Sequence, residues 1–436
     1  MAIIGAGPSG STCAWYLSQE KVEGRDIKVV MLDKQVFPRD KICGNAVTTL
    51  AQKHLKRMGV IKELQEENKC HWAQNGGFVS PSGYSFIGNS AKELERGDEG
   101  AVVAIKRIDM DDKMVKAAVK AGAELRESTT VVDASFDADS GLWKVKSVDG
   151  ERNELPVVRA RMLIAADGSG SAFGRKKGLV KTEPDGVCSR AFVTGQFNFQ
   201  WDGVVFYPRA LLPGYAAIMR HANNELGYCV YIIPGNPKCT NDDLPAMHHD
   251  LLENDPFISK AIGKKSNPHV KLERMKAASL RLGGLKAKER SYDDHLIVIG
   301  DAAGFIDPLT GEGIQYAMES GEIGAKIVRE GLKRKDLSSR FLKQYQDIWY
   351  KDWGREFYWS LKVAYLLYKL PIMLDAAAKL IEKRGAKFLA DWAEVMTGSQ
   401  SKMWFLRPDV WSLIVLEAIG IGFRKIFFPH TLPKLK

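Results

Sequence analysis

Residues 1–10, Met-Ala-Ile-Ile-Gly-Ala-Gly-Pro-Ser-Gly, join a short apolar run to a Gly-x-Gly-x-x-Gly turn. The apolar run predicts a buried strand, and the residues after the turn predict a helix. In such a turn Gly5 permits the tight bend, Gly7 lets the backbone approach a ligand, and Gly10 lets helix and strand pack closely. Because backbone N–H groups at a helix start attract phosphate, this stretch predicts a pyrophosphate-binding turn.

A second strand favours this prediction over the simpler one, in which a glycine turn closes an ordinary βαβ unit. Residues 27–32, Ile-Lys-Val-Val-Met-Leu, form an apolar run that ends at Asp33. In dinucleotide-binding folds an acid about 20 residues beyond the turn accepts a hydrogen bond from a ribose hydroxyl. The position of Asp33 fits that role.

The length and composition are those of an ordered protein with more than one core. The chain has 436 residues, of which 45% are hydrophobic and 27% are charged. Its six cysteines are scattered, with no Cys-x-x-Cys pair and no histidine cluster beside them. We therefore expect no disulfide framework and no metal site, and the thiols indicate a reducing compartment. No targeting segment is visible ahead of the first strand.

Two later motifs repeat the pattern of a buried strand that ends in an acid. Residues 160–166 lead to Asp167-Gly168, and residues 295–299 lead to Gly300-Asp301. A carboxylate at such a strand end can bind a sugar or ribitol hydroxyl. Gly313 and Ile314 then open a long helix, whose N–H groups and positive dipole end suit an electron-rich ring edge.

The chain divides into four segments. Short β-runs separated by Gly, Pro and Asn predict an antiparallel sheet in residues 185–290, which we assign to a substrate domain. Residues 1–184 begin a nucleotide-binding domain and residues 291–335 return to it. Residues 336–436 form a helical C-terminal region. The predicted fold class is mixed α/β, with a Rossmann-like domain, an antiparallel sheet domain and C-terminal helices.

Together these motifs resemble flavoproteins of the para-hydroxybenzoate hydroxylase superfamily and, within it, the geranylgeranyl reductase family. The similarity covers roughly residues 1–330. It rests on the glycine turn, on the two strand-end acids, and on three local signatures: Pro38-Arg-Asp-Lys-Ile-Cys-Gly44, Arg107-x-x-Met-Asp111 and Pro308-x-x-Gly-Glu-Gly-Ile314.

The resemblance implies that FAD is the cofactor. Positions that match the family imply FAD contacts at Ser9, Asp33, Cys43, Gly44, Arg107, Val131, Asp301, Gly313 and Ile314. Other residues of the motifs, or adjoining them, complete the predicted cofactor-binding set: Gly5, Gly7, Gly10, Lys34, Arg39, Asp167, Gly168 and Gly311.

The activity implied by the resemblance is reduction of a prenyl double bond by hydride from reduced flavin, with a proton delivered to the other carbon. The substrate would be a lipophilic isoprenoid, and NADPH or a reduced partner protein would supply the electrons. Two alternatives stay open: an FAD-dependent monooxygenase acting on a lipophilic substrate, and a non-catalytic flavoprotein subunit of a membrane complex. Halogenation is not expected, because the strand at residues 228–233 lacks the two tryptophans of flavin halogenases.

Cys43 and Tyr231 are the candidate catalytic residues. Cys43 follows Arg39 and Lys41, whose charges favour a thiolate, and the matching motif favours a position against the flavin. The alternative is a small buried apolar residue. Tyr231 stands where the family commonly has tryptophan, and it either faces the substrate or packs in the core. The sequence identifies no catalytic acid or base.

The C-terminal region is basic and aromatic. From residue 333 onward the chain has 19 Lys and Arg against 10 Asp and Glu, and six of its ten Trp. The last apolar run is interrupted by Glu417 and is too short to cross a bilayer. It predicts either a helical cap on the body or an interfacial anchor whose Trp and Phe enter the head-group layer. We expect a peripheral membrane protein, on the cytoplasmic face or in an organelle such as a plastid, with no nucleic-acid partner.

Overall fold

The computed structural model describes residues 1–88, 102–233, 244–263, 268–286 and 288–427. These residues confirm the predicted mixed α/β fold class. A six-stranded sheet, here called the central sheet, carries the glycine turn. A larger sheet, here called the roof sheet, faces it, and helices at the C-terminal end complete the body.

The central sheet brings the predicted nucleotide-binding residues to one edge. Its strands lie in the order Glu124–Arg126, Val30–Leu32, Ala2–Ile4, Leu163–Ala165, Leu296–Val298 and Tyr292–Asp293. The first five pair in parallel and the last is antiparallel. Because the carboxyl ends of parallel strands meet at one edge, the glycine turn and the three strand-end acids converge there. The helices Pro8–Ser18 and Ile314–Arg334 pack against each other beside this sheet.

Smaller elements surround the central sheet. Three short sheets join the strand pair Lys21–Val22 and Arg25–Asp26, the strands Ala46–Thr48, Val102–Ile105 and Cys70–Ala73, and the strands Thr130–Asp137, Leu142–Val148 and Val158–Ala160. The helices of this part are Thr49–Arg57, Val60–Glu66, Arg107–Lys120, Ala172–Lys176 and the 3₁₀ turn Gly300–Ala303.

The roof sheet is largely antiparallel, as the sequence predicts. Its order is Lys271–Leu272, Gly186–Thr194, Glu225–Ile232, Tyr215–His221, Gly203–Phe206, Gly76–Val79 and Ser85–Gly88, with Lys276–Leu280 also paired to Gly186–Thr194. Two of these strands come from before residue 184, and Gly76–Val79 pairs in parallel with Gly203–Phe206. The helices Leu244–Asn254 and Ile258–Ile262 share a hydrophobic cluster with one face of the sheet.

The C-terminal region packs onto the body as a set of helices: Ser339–Trp349, the π-helical turn Tyr350–Gly354, Arg355–Lys369, Ile372–Arg384, Ala386–Met396, the 3₁₀ turn Lys402–Leu406 and Pro408–Phe427. Trp349, Trp353 and Phe357 recur every four residues, which places them on one helical face, and all three are buried. The ring of Phe305 lies 4.7 Å from Trp349 and 5.4 Å from Trp353. These aromatic residues are therefore core residues.

None of the helices within the described ranges combines the length and hydropathy of a membrane-spanning segment.

Candidate active site

A cavity of about 1150 Å³ lies between the carboxyl edge of the central sheet, the roof sheet and the helix Ala386–Met396. Apart from Gly10, every predicted site residue lines it: Gly5, Gly7, Ser9, Asp33, Lys34, Arg39, Cys43, Gly44, Arg107, Val131, Asp167, Gly168, Tyr231, Asp301, Gly311, Gly313 and Ile314. Gly10 does not line the cavity because it packs against the strand. A Cβ on Gly10 would lie 2.0 Å from the carbonyl oxygen of Gly5.

The glycine turn is held open toward the cavity. Asp33 fixes it, since one carboxylate oxygen accepts a hydrogen bond from the Ala6 N–H at 2.8 Å and the other accepts from the Gln35 N–H at 2.9 Å. Among the described residues, a Cβ on Gly7 would have one neighbour within 4 Å, the Arg39 guanidinium at 3.6 Å. Such a side chain would therefore enter the space that a pyrophosphate needs.

Polar atoms at the cavity wall lack partners within the described residues. Both amide atoms of the buried Asn45 and the Oδ1 of Asp167 make no hydrogen bond there. Burial raises the pKa of the Asp167 carboxyl. Buried polar groups in native proteins are normally hydrogen-bonded, so these atoms indicate a polar ligand. Together with the glycine cradle, they fit the ring edge and hydroxyls of FAD.

Ion pairs connect the signature residues. Arg107 forms two hydrogen bonds to the buried Asp111, at 2.6 and 2.7 Å, and Arg39 reaches the same carboxylate at 3.0 Å. Lys41 donates to Asp301 at 2.8 Å. Burial opposes ionisation of Asp301, but the charges of Lys41 and Arg107 outweigh it and hold the pKa of that carboxyl below its usual value. These ion pairs therefore hold the charged side chains at the cavity edge in fixed positions.

Three thiols line the cavity, although the sequence pointed only to Cys43. Cys188 and Cys229 come from neighbouring strands of the roof sheet and contact each other. That contact and burial raise the pKa of the Cys188 thiol. A Cβ on Gly44 would lie 3.4 Å from the Cys229 sulfur, so the roof sheet meets the Cys43-Gly44 signature directly. The pairing register of the sheet creates this group, and spacing along the chain carries no signal for it.

Tyr231 both lines the cavity and packs in the core. Its hydroxyl donates to the Pro308 carbonyl at 3.3 Å, and burial raises its pKa well above the usual value. The ring of Tyr215, which the sequence did not single out, lies 5.1 Å away, and its hydroxyl donates to the Thr310 carbonyl. The two tyrosines therefore hold the loop of the third signature.

Glu312, which lies on that loop and lines the cavity, also has a raised carboxyl pKa. Burial is the main cause that raises the pKa of its carboxyl to about 8, and the nearby Asp307 adds to the effect against Lys402 and Gln315. Gln315 donates to its Oε2 at 3.0 Å. At neutral pH the carboxyl is therefore mostly protonated. The sequence shows Glu312 inside a motif, but nothing in the sequence distinguishes it from a structural acid.

The other end of the cavity is apolar and aromatic. Its residues come from the roof sheet and from the helix Ala386–Met396: Phe78, Val205, Tyr207, Leu389, Trp392 and Met396. Phe78 stacks on Trp392 at 5.3 Å between ring centroids, which joins the two elements across the cavity. One continuous cavity therefore combines a polar nucleotide cradle with an apolar extension.

A nucleotide cradle at the carboxyl edge of a parallel sheet, under a roof sheet, is the architecture of an FAD-binding flavoprotein. The chain matches the family described as "FAD binding domain" over residues 1–330 and belongs to that family. This membership supports an enzyme of the FAD-dependent oxidoreductase class.

Known proteins with similar sequences or folds carry differing names. Dictyostelium discoideum conditioned medium factor receptor 1 is 57% identical over 431 residues, which cover 98% of this chain and 82% of that protein. Methanopyrus kandleri digeranylgeranylglycerophospholipid reductase 2 is 28% identical over 409 residues, which cover 91% of this chain and 93% of that protein. The crystal structure of a geranylgeranyl bacteriochlorophyll reductase-like protein from Thermoplasma acidophilum matches with a TM-score of 0.72 and 20% identity, covers 95% of this chain and 98% of its own, and shows the shared fold.

Proposed function

We propose that the protein is an FAD-dependent reductase of carbon–carbon double bonds in a prenyl lipid. The observation that carries the proposal is the apolar extension of the cavity, which includes Phe78, Trp392 and Met396 and adjoins the nucleotide cradle. A long hydrocarbon chain suits such walls. The relative named digeranylgeranylglycerophospholipid reductase supports the same substrate class.

The protein's part in this reaction is to bind, orient and exclude water. When bound, FAD supplies hydride transfer, with electrons from NADPH or a reduced partner protein. The residues that would hold it are the glycine turn, Asp33, Asp301 and the helix start at Gly313. The apolar walls would align the double bond and keep water out of the cavity.

Reduction of an isolated double bond also needs a proton at the second carbon, and we assign that proton to Glu312. The carboxyl would be protonated at the start, release its proton to carbon, and recover one from solvent. Among the cavity carboxyls of the described residues, Asp33 accepts two backbone hydrogen bonds and Asp301 pairs with Lys41. The Lys41 contact favours the ionised form of Asp301, and both oxygens of Asp33 are already occupied as acceptors. Burial also raises the pKa of Asp167, but that carboxyl lies at the nucleotide cradle and its Oδ2 accepts from the Phe173 N–H at 2.8 Å. We therefore choose Glu312, whose pKa burial raises to about 8, as the proton source.

The test is anaerobic single turnover with the FAD-loaded protein, reduced by dithionite and mixed with a geranylgeranyl glycerolipid. The expected product gains two hydrogen atoms for each double bond reduced, as seen by mass spectrometry, while the flavin reoxidises. If the same mixture gives a hydroxylated product only when oxygen is admitted, the protein would instead be a monooxygenase. Reduced flavin that is stable with every lipid would contradict the proposal and favour a non-catalytic flavoprotein, in keeping with the relative named as a receptor.

A further inference from the structure

The helix Pro408–Phe427, here called the final helix, has apolar residues on two faces. Its inner face packs on the helix Ile372–Arg384 through Ile414, Ala418 and Ile421, which are buried. Its outer face carries four apolar side chains that are largely exposed: Leu416 (64%), Ile419 (63%), Phe423 (59%) and Ile426 (74%). Their spacing of three and four residues places them in one line, here called the outer stripe.

Ion pairs fix the orientation of the outer stripe. Glu417 lies within the final helix, and its carboxylate contacts Lys379 and Lys383, each at 2.5 Å. Lys425 pairs with the buried Asp375 at 2.9 Å. Both contacts hold the inner face against the neighbouring helix. The outer stripe therefore cannot turn inward without breaking them.

The charges around the outer stripe are cationic. Glu417, the acid nearest its middle, is neutralised by its two lysines and is only 12% exposed. Arg424 follows Phe423 in an exposed position, and the Lys383 side chain is 54% exposed on the next helix. The segment from residue 333 onward carries nine of the ten excess positive charges of the chain. Like charges would oppose a second copy on this surface, whereas an anionic surface would be attracted.

We infer that the outer stripe is a docking surface for an anionic lipid bilayer, with the final helix lying in the plane of the interface. Exposed apolar residues on one face of a helix, with basic residues beside them, are the features of an interfacial helix. The buried tryptophans take no part, so the contact is made by Leu416, Ile419, Phe423 and Ile426. This surface is separate from the cavity, and the inference holds whichever reaction the cavity performs.

The test is co-sedimentation of full-length FAD-loaded protein with vesicles of phosphatidylcholine, alone or mixed with phosphatidylglycerol. The protein should pellet with the anionic vesicles at low salt and less at high salt, because salt screens the charges. Ile419→Glu/Phe423→Glu should lower the partition coefficient at least about tenfold, since it removes apolar burial and adds repulsive charge. Val119→Glu, at an exposed apolar residue of another helix, is the matched control and should bind as the unmodified protein does.

Three results would overturn the inference. The first is a protein that stays in the supernatant with anionic vesicles at low salt. The second is a concentration-dependent dimer, seen by sedimentation velocity, that the same double substitution abolishes. The third is vesicle binding that appears only after deletion of residues 428–436, which would identify those residues as the cover of the stripe. FAD content and circular dichroism of each variant establish that the fold is intact.

Discussion

The three glycines of the Gly-x-Gly-x-x-Gly turn have different structural roles. Gly5 has a φ of +97°, and a Cβ there would lie 2.4 Å from the Ala166 carbonyl oxygen. Gly10 is blocked by the backbone of Gly5. Gly7 has ordinary extended backbone angles and open space beside it. Gly5 and Gly10 are therefore required by the backbone packing of the turn, whereas Gly7 leaves space for a ligand.

Gly7→Val separates the two roles. The side chain fits the fold but enters the pyrophosphate space, so we expect the Kd for FAD to rise about tenfold or more with little change in Tm. Flavin absorbance of purified protein and titration of the apoprotein with FAD measure the effect. Gly150→Val is the matched control, because Gly150 lies at an exposed turn where no atom of the described part of the chain comes within 4 Å of the added Cβ. Full FAD retention by Gly7→Val would show that the cofactor lies elsewhere.

At Glu312, Gln is nearly isosteric and cannot release a proton. If Glu312 supplies the proton, Glu312→Gln should slow alkene reduction about 100-fold at unchanged FAD content. The rate of the unmodified enzyme should fall as pH rises through about 8, the pKa of this carboxyl, and the residual rate of the variant should not. Glu330→Gln, at a half-buried acid on the helix Ile314–Arg334 that does not line the cavity, is the control.

The stability of the apoprotein tests the protonation state of Glu312 without turnover. Because folding raises this pKa from 4.5 to about 8, the unfolded chain releases the proton as pH rises past 4.5, whereas the folded protein keeps it until about pH 8. The contribution of this group to stability is therefore fully present below pH 4.5 and falls between pH 4.5 and about 8. Relative to Glu312→Gln, the unmodified protein should lose up to about 1.4 kcal/mol of unfolding free energy per pH unit in that window. Infrared spectra should also lose one protonated carboxyl band in the variant. Parallel pH–stability curves would contradict the buried neutral acid.

At the scale of elements, side chains along the strand Glu225–Ile232 point alternately to the cavity and to the opposite face of the roof sheet. Cys229 and Tyr231 face the cavity, while Tyr228 and Val230 pack toward the helices on the other side. The sequence predicted the strand, because alternating β-runs are a local signal. It could not predict that the Cys229 sulfur lies next to Gly44, because that depends on the register between strands far apart in the chain.

A buried ion pair ties the loop of the third signature to the C-terminal helices. Asp307 lies 3.6 Å from Lys402, and both are buried. Ser360 also donates to the Asp307 carboxylate at 2.8 Å, and Gln315 donates to the Thr397 carbonyl at 3.2 Å. The helices that the sequence indicated as a cap or an anchor therefore also support the loop that carries Glu312.

Lys402→Met should show how much the Asp307–Lys402 ion pair contributes to the free energy of unfolding. It leaves the buried Asp307 charge without its cation and should lower the free energy of unfolding by about 3 kcal/mol. Asp307→Asn/Lys402→Met removes the charge while keeping the shape, so it should recover most of the loss. Urea unfolding of the two variants and of Asp307→Asn completes the cycle. Equal stability of the double variant and Lys402→Met would show that the pair is not coupled.

At the scale of the whole molecule, the glycine turn and strand-end acids were predictable because each is a short motif with one mechanical reason. The apolar extension was not, because Phe78, Trp392 and Met396 come from parts of the chain that only the tertiary fold brings together. The outer stripe could be predicted in part. Its periodicity is visible in the sequence, but only packing determines which face of the final helix is left exposed.

The outer stripe and the cavity-lining helix Ala386–Met396 both belong to the C-terminal set of helices. The two proposals together predict how lipid presentation should control activity. If the protein reduces a prenyl lipid and docks through the outer stripe, a lipid in a bilayer would reach the cavity only from a docked enzyme, whereas a detergent-dispersed lipid would also reach an undocked one. Ile419→Glu/Phe423→Glu should therefore reduce vesicle-embedded prenyl lipid at least about tenfold more slowly than the unmodified enzyme, because its bound fraction falls. It should reduce the detergent-dispersed lipid at the same rate. Steady-state assays on both forms, with equal FAD content, measure this ratio, and equal losses on both forms would show that the outer stripe acts through the fold and not through docking.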